Sequence, residues 1–152
     1  MPARPPDPAR LLAAVNEQRA VLGQPAWSGP ATVAALGLAA VTAALAATDA
    51  GERPLREASR AAVRYLLEAL AERAPGRAVE VRVPPFAAVQ CVAGPRHTRG
   101  TPPNVVETDP ATWLALATGR LGWTEAVGAG KVRASGPRSN ISDYLPIARR
   151  PG

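Results

Sequence analysis

Cys91 and His97 are the only cysteine and the only histidine in this 152-residue chain, and they are the side chains best suited to nucleophilic or metal chemistry. A catalytic histidine needs a nucleophile to activate and an acid to orient it. Glu107 and Asp109 lie nearest in sequence, but Asp109 stands directly before Pro110 and reads as a helix cap. The chain has no Gly-x-Ser-x-Gly, His-Glu-x-x-His, Gly-x-Gly-x-x-Gly or phosphate-binding Gly-Lys-Ser/Thr pattern. A lone His and a lone Cys make no zinc site without carboxylates from elsewhere. Cys91 lies in the apolar stretch AAVQCVAG, which suits an inert buried thiol. A single cysteine forms no internal disulfide, and nothing points to an oxidising compartment, so a cytoplasmic location is expected. The expectation is therefore no catalysis, no cofactor and no metal.

Two other groups suit binding. The turn around Arg96, His97 and Arg99 combines two guanidinium groups, an imidazole and backbone amides next to Gly100, a set able to hold an anionic head group or phosphate. An ordinary solvated loop between strands has the same composition. Trp113, Leu116, Leu121 and Trp123 surround the turn at Gly119, and Phe86 and Val89 lie in the apolar run upstream. These six read as the wall of an apolar cavity or as plain core, and both readings hold together because lipid pockets are lined by core-type residues.

The net charge is +6, and Lys131 is the only lysine. Such a balance permits transient contact with anionic membrane surfaces. The arginines are scattered along the chain and aromatics are few, so no specific nucleic-acid face is expected. The opening MPARPPDPAR lacks the apolar stretch of a secretory signal. Ala31–Thr48 is uncharged, but it is mostly Ala, Thr and Gly and reads as a packed helix, not a membrane span.

The length fits one domain with an extension: helices over 1–50, then an α+β domain over 51–152. Asp7 before Pro8 opens a first helix that Gly23 closes. A second follows Pro30, with Val33, Leu36, Gly37, Ala40, Val41, Ala44 and Leu45 on one face, and ends over Asp49–Gly51. In the third, Val63, Leu66, Leu67 and Leu70 repeat at the helical period, with Arg60, Arg64, Glu68 and Glu72 on a solvated side, and Pro75-Gly76 stops it. From Val79 the period becomes two, as in a half-buried strand over Val79, Val81 and Val83. The run Phe86–Val92 predicts a strand covered on both faces. A third strand is expected over Asn104–Thr108 and a helix from Pro110 to Gly119. A short helix capped by Thr124 follows, then a fourth strand over Lys131–Ala134 and a fifth over Ile141–Ile147.

The order Asp109 to Gly136 — short helix, Thr118-Gly119-Arg120 turn, second short helix, then GKVRASG opening a strand — resembles the C-terminal half of the sterol carrier protein superfamily. The upstream PPFAAVQCVAGPRHTRGTPPNVVETDP resembles its bacterial, actinomycete-type branch, and the likeness runs over roughly residues 56–147. The resemblance implies a mixed sheet of about five strands with helices packed on one face, preceded here by the N-terminal helices. It implies an internal cavity for a lipid, fatty acyl chain or other apolar molecule, and no enzyme activity of the lone domain. Relatives also occur as the accessory half of a thiol-dependent isomerase. An interaction or accessory domain with a collapsed cavity is therefore the alternative reading.

Overall fold

The computed structural model describes residues 4–94 and 104–148. The chain divides into two compact units, residues 1–65 and 66–152.

The first unit is helical. Helix α1 (Pro8–Val21) starts where the Asp7 carboxylate accepts the Ala9 amide at 3.0 Å, one of the donors that a helix N-terminus leaves without a partner. Helix α2 (Val33–Asp49) is capped by Thr32, whose hydroxyl accepts the Ala35 amide at 3.2 Å. Small residues dominate α2, and Leu36, Gly37, Ala39, Ala40, Val41, Ala43, Ala44, Leu45 and Ala47 are all buried. A methyl added at Gly37 would overlap the Tyr65 ring, so here the small residue sets how closely an aromatic side chain can approach. Gln18 is 1% exposed, and its side-chain oxygen accepts the Leu55 amide at 2.7 Å, tying α1 to the start of the third helix. The Trp27 ring lies against Gly29, its indole N–H donates to the Pro30 carbonyl at 3.0 Å, and the Arg19 guanidinium sits 5.9 Å from its centroid. Helix α3 (Arg56–Arg73) passes from the first unit into the second. Among the described residues no helix is long and apolar enough to cross a membrane.

The second unit holds the C-terminal part of α3 and a four-stranded mixed sheet, order β2-β1-β3-β4, with β1 Val79–Val83, β2 Ala87–Cys91, β3 Asn104–Thr108 and β4 Val132–Ser135. β1 pairs antiparallel with β2 and parallel with β3, and β3 pairs antiparallel with β4. Helices α4 (Pro110–Ala117) and α5 (Trp123–Gly128) connect β3 to β4.

Four expectations need correction. The sheet has four strands, not five: Ile141–Ile147 forms a 3-10 turn over Ser142–Tyr144 and then a strap. Pro146 has no amide to donate to a ladder. The Ile147 and Ala148 amides both donate to the Ala117 carbonyl, at 2.8 and 3.0 Å, and the Arg73 guanidinium donates to the Pro146 carbonyl at 2.9 Å. The strap thus satisfies helix ends instead of a strand. β2 is an edge strand with Ala88 and Gln90 exposed, not a strand covered on both faces, and Phe86 belongs to the turn before it, where its amide reaches the Val83 carbonyl. Helix α5 is capped by Gly122 without a side-chain bond, not by Thr124, because the Ala126 amide already reaches the Gly122 carbonyl. β4 starts one residue late because the Lys131 amide is held by the Ala126 carbonyl at 3.0 Å.

At the end of the sheet where β1 and β3 begin, Asn104 is 2% exposed. Its amide nitrogen donates to the Ala78 carbonyl at 2.8 Å, and its oxygen accepts the Arg138 amide at 2.8 Å. One side chain thereby joins three segments. Asn104→Ala strands both backbone groups, and each buried unpaired group costs about 1–3 kcal/mol. Urea unfolding is expected to show a loss of about 2–4 kcal/mol. Asn104→Asp, which sets a buried carboxylate oxygen against the Ala78 carbonyl, should lose at least as much at neutral pH. A loss below about 1 kcal/mol for the alanine variant contradicts the clamp.

Candidate functional site

The strand period of two sorts the sheet into unlike faces. On the inner face Val79, Val81 and Val83 are buried, with Cys91, Val89 and Ala87 opposite them on β2 and Asn104 and Val106 opposite Val79 and Val81 on β3. Val132 continues this face beside Thr108. On the outer face Ala88, Arg82, Glu107 and Arg133 form one row across all four strands, with Gln90, Glu80, Val105 and Ser135 in the next. Glu80 pairs with Arg82, and that pairing together with its charge raises the Arg82 pKa. Charged outer rows and apolar inner rows leave one side for water and one for the interior.

Helix α4 supplies the largest interior side chain. The Asp109 carboxylate accepts the Thr112 amide at 2.9 Å and the Thr112 hydroxyl at 2.8 Å, and Pro110 takes the first position, where no amide is needed. So anchored, α4 buries Trp113, Leu114, Leu116 and Ala117, with Trp113 wholly inaccessible. Gly119, at φ +79°, reverses the chain, and the Arg120 and Leu121 amides both return to the Ala115 carbonyl.

Of the six residues expected to wall a cavity, Trp113 and Leu116 lie one turn apart in the interior. Val89 is half-buried on β2, directly opposite Val81. Leu121 is folded back beside the last turn of α4, Phe86 closes the β1–β2 turn, and Trp123 opens α5; all three are half-buried. Arg96, His97 and Arg99 lie outside the described residues.

A second feature, not foreseen from the sequence, is an open cleft of about 280 Å³ lined by Pro84, Glu107, Thr108, Asp109, Gly130, Lys131 and Arg133. Its charges face one another: Glu107 meets Arg133 at 3.9 Å, and Asp109 is already committed to the α4 cap. The Thr108 hydroxyl donates to the Lys131 carbonyl at 2.8 Å. These are the bonds of a supported sheet edge. Among the described residues no group of three or more His, Cys, Asp or Glu could hold a metal ion.

Cys91 ends β2 with no exposed surface. Burial pushes its thiol up to about 11, because a buried thiolate loses its hydration. It is a packing thiol at neutral pH, not a nucleophile.

Residues 55–147, more than half of the chain, match the family described as bacterial SCP ortholog, SCP standing for sterol carrier protein. No curated protein matches the chain.

Native Cys91 is expected to resist a disulfide exchange reagent at pH 8 and to react fully in denaturant; rapid native labelling contradicts its burial. An unfolded thiol titrates near about 8.5. The folded state therefore loses stability as pH rises from there toward about 11, and Cys91→Ala should show a shallower alkaline loss.

Proposed function

The chain belongs to the bacterial sterol carrier protein-like family, and from that premise we propose that it is a non-catalytic carrier of a lipid, fatty acyl chain or other apolar molecule. The observation that carries the reading is the one-sided sheet inside the family-matching segment. Its inner valines are buried, as are Trp113 and Leu116 of α4, while its charged residues are turned outward. In this reading residues 51–152 are the carrier domain and 1–50 its helical extension. Phe86, Val89, Trp113, Leu116, Leu121 and Trp123 wall the site.

The driving force is transfer of hydrocarbon out of water, about 0.8 kcal/mol for each methylene buried. Ordering the ligand takes back part of that gain. A long chain retains a net affinity without any covalent step. The cytoplasm is the compartment in which such a carrier would work.

Delipidated protein is expected to bind a brominated fatty acid with quenching of tryptophan emission. Trp113 and Trp123 belong to the second unit and Trp27 to the first, so Trp27→Phe should keep the quenching and Trp123→Phe should reduce it. Native mass spectrometry should show the same ligand as a one-to-one adduct. A protein that neither quenches nor carries an adduct fits the other role, an interaction or accessory domain with a collapsed interior.

A further inference from the structure

The open cleft lies where two parallel strands end. β1 stops at Val83 and β3 at Thr108, and the next residue of each, Pro84 and Asp109, lines the cleft with Glu107, Lys131 and Arg133. Glu107 and Arg133 oppose each other in the outer row of the sheet. Lys131 lies two residues before Arg133, so the strand period puts both cations on that side, about 7 Å apart along the chain. Thr108 is 5% exposed and its hydroxyl is bound to the Lys131 carbonyl.

Local pairing leaves these charges with capacity to bind. Continuing the β3–β4 register by one step sets Asp109 opposite Lys131, but both Asp109 oxygens are bound to Thr112. Among the described residues the Lys131 ammonium meets no carboxylate. Glu107 and Arg133 approach only to 3.9 Å, beyond hydrogen-bond distance. The Arg133 side chain is 87% exposed, and an exposed pair of this kind holds weakly. The other cross-strand neighbour of Glu107 is Arg82, which is paired with Glu80.

The four charges lining the cleft, Glu107, Asp109, Lys131 and Arg133, sum to zero. A simple anion meets two carboxylates there, and a simple cation meets two basic groups. A molecule that carries both signs gains from both walls. We propose that the cleft binds a small zwitterion, with its acid group on Lys131 and Arg133 and its ammonium on Glu107. Charge-assisted hydrogen bonds are the strong ones, and these three side chains are the ones able to make them. The volume of about 280 Å³ suits a molecule of head-group size, just below the range of about 300–1,000 Å³ for pockets of drug-sized ligands. The acid group is a carboxylate in a free amino acid and a phosphodiester in an ethanolamine lipid head group; the recognition chemistry is shared. The site is independent of the carrier reading, because the buried valines face the other side of the sheet.

The test is a nuclear magnetic resonance titration of the full chain, following backbone amides. The zwitterions are β-alanine and glycerophosphoethanolamine; the single-charge controls are propionate, dimethyl phosphate and ethylamine. Amides of Thr108, Asp109, Lys131 and Arg133 should shift with at least one zwitterion, with a Kd on the order of 1 mM. The controls should bind at least about tenfold more weakly. Lys131→Gln should weaken zwitterion binding about tenfold. Glu107→Gln should bring the zwitterion and its matching acid control within about threefold of each other. Arg77→Gln removes the same charge before the opposite end of β1 and should stay within about twofold of the parent. The amide spectrum of each variant reports its folding. Binding of β-alanine alone assigns a free amino acid, and binding of glycerophosphoethanolamine alone assigns a lipid head group; either supports the site. No shift with either zwitterion up to about 20 mM, equal binding of a single-charge control, parent affinity in Lys131→Gln, or an undiminished preference in Glu107→Gln overturns the proposal.

Discussion

The second unit depends on a single constraint: its sheet can bury only one of its faces. β1 carries charge at alternate positions, Glu80 and Arg82, β3 carries Glu107, and the parallel register sets Arg82 beside Glu107. Slipping either strand by one residue would turn those charges inward and the valines outward, at a cost in desolvation that no pairing in an apolar interior offsets fully. Register and choice of inner face therefore follow from one alternation. The edges follow it too: β4 adds Arg133 to the outer row, and β2 adds Gln90.

The inner face is closed at its ends by polar clamps, not by further strands. Asn104 joins Ala78 and Arg138 at one end. Near it Val92 adopts φ +66°, a strained conformation for a β-branched residue; its N–H donates a hydrogen bond to the Ala74 carbonyl and its carbonyl accepts one from the Ala78 amide. A methyl at Gly76 would overlap that carbonyl, so the link from α3 to β1 requires a glycine there. The Leu145–Ala148 strap holds the ends of α3 and α4. These bonds brace the ends of a small sheet with one apolar side.

Much of this was legible in the chain. Asp7-Pro8 and Asp109-Pro110 carry their own capping chemistry, so α1 and α4 start where local rules place them. The Val79–Val83 alternation reports its strand directly. Legibility failed where long-range bonds decide. Nothing local reveals that the Ala117 carbonyl captures Ile147 and Ala148, so an apolar segment resembling a fifth strand became a strap. The apolar run of β2 gives no sign that its strand lies at an edge, because covering a face is a property of its neighbours. The burial of Trp113 and Leu116 was legible from helical spacing. Asn104 was not, since a polar residue opening a strand reads as loop until its two partners are known.

The carrier reading rests on apolar burial in the second unit. Its central claim is that ligand enters on the inner side of the sheet. Methyl-labelled protein titrated with a deuterated fatty acid tests this directly, because Val105 and Val106 are adjacent in sequence and belong to opposite faces. The account predicts that the methyl signals of Val81, Val106 and Leu116 move and saturate together while those of Val105 stay in place. Signals that move at Val105 alone, or at none of these methyls at saturating ligand, would contradict it.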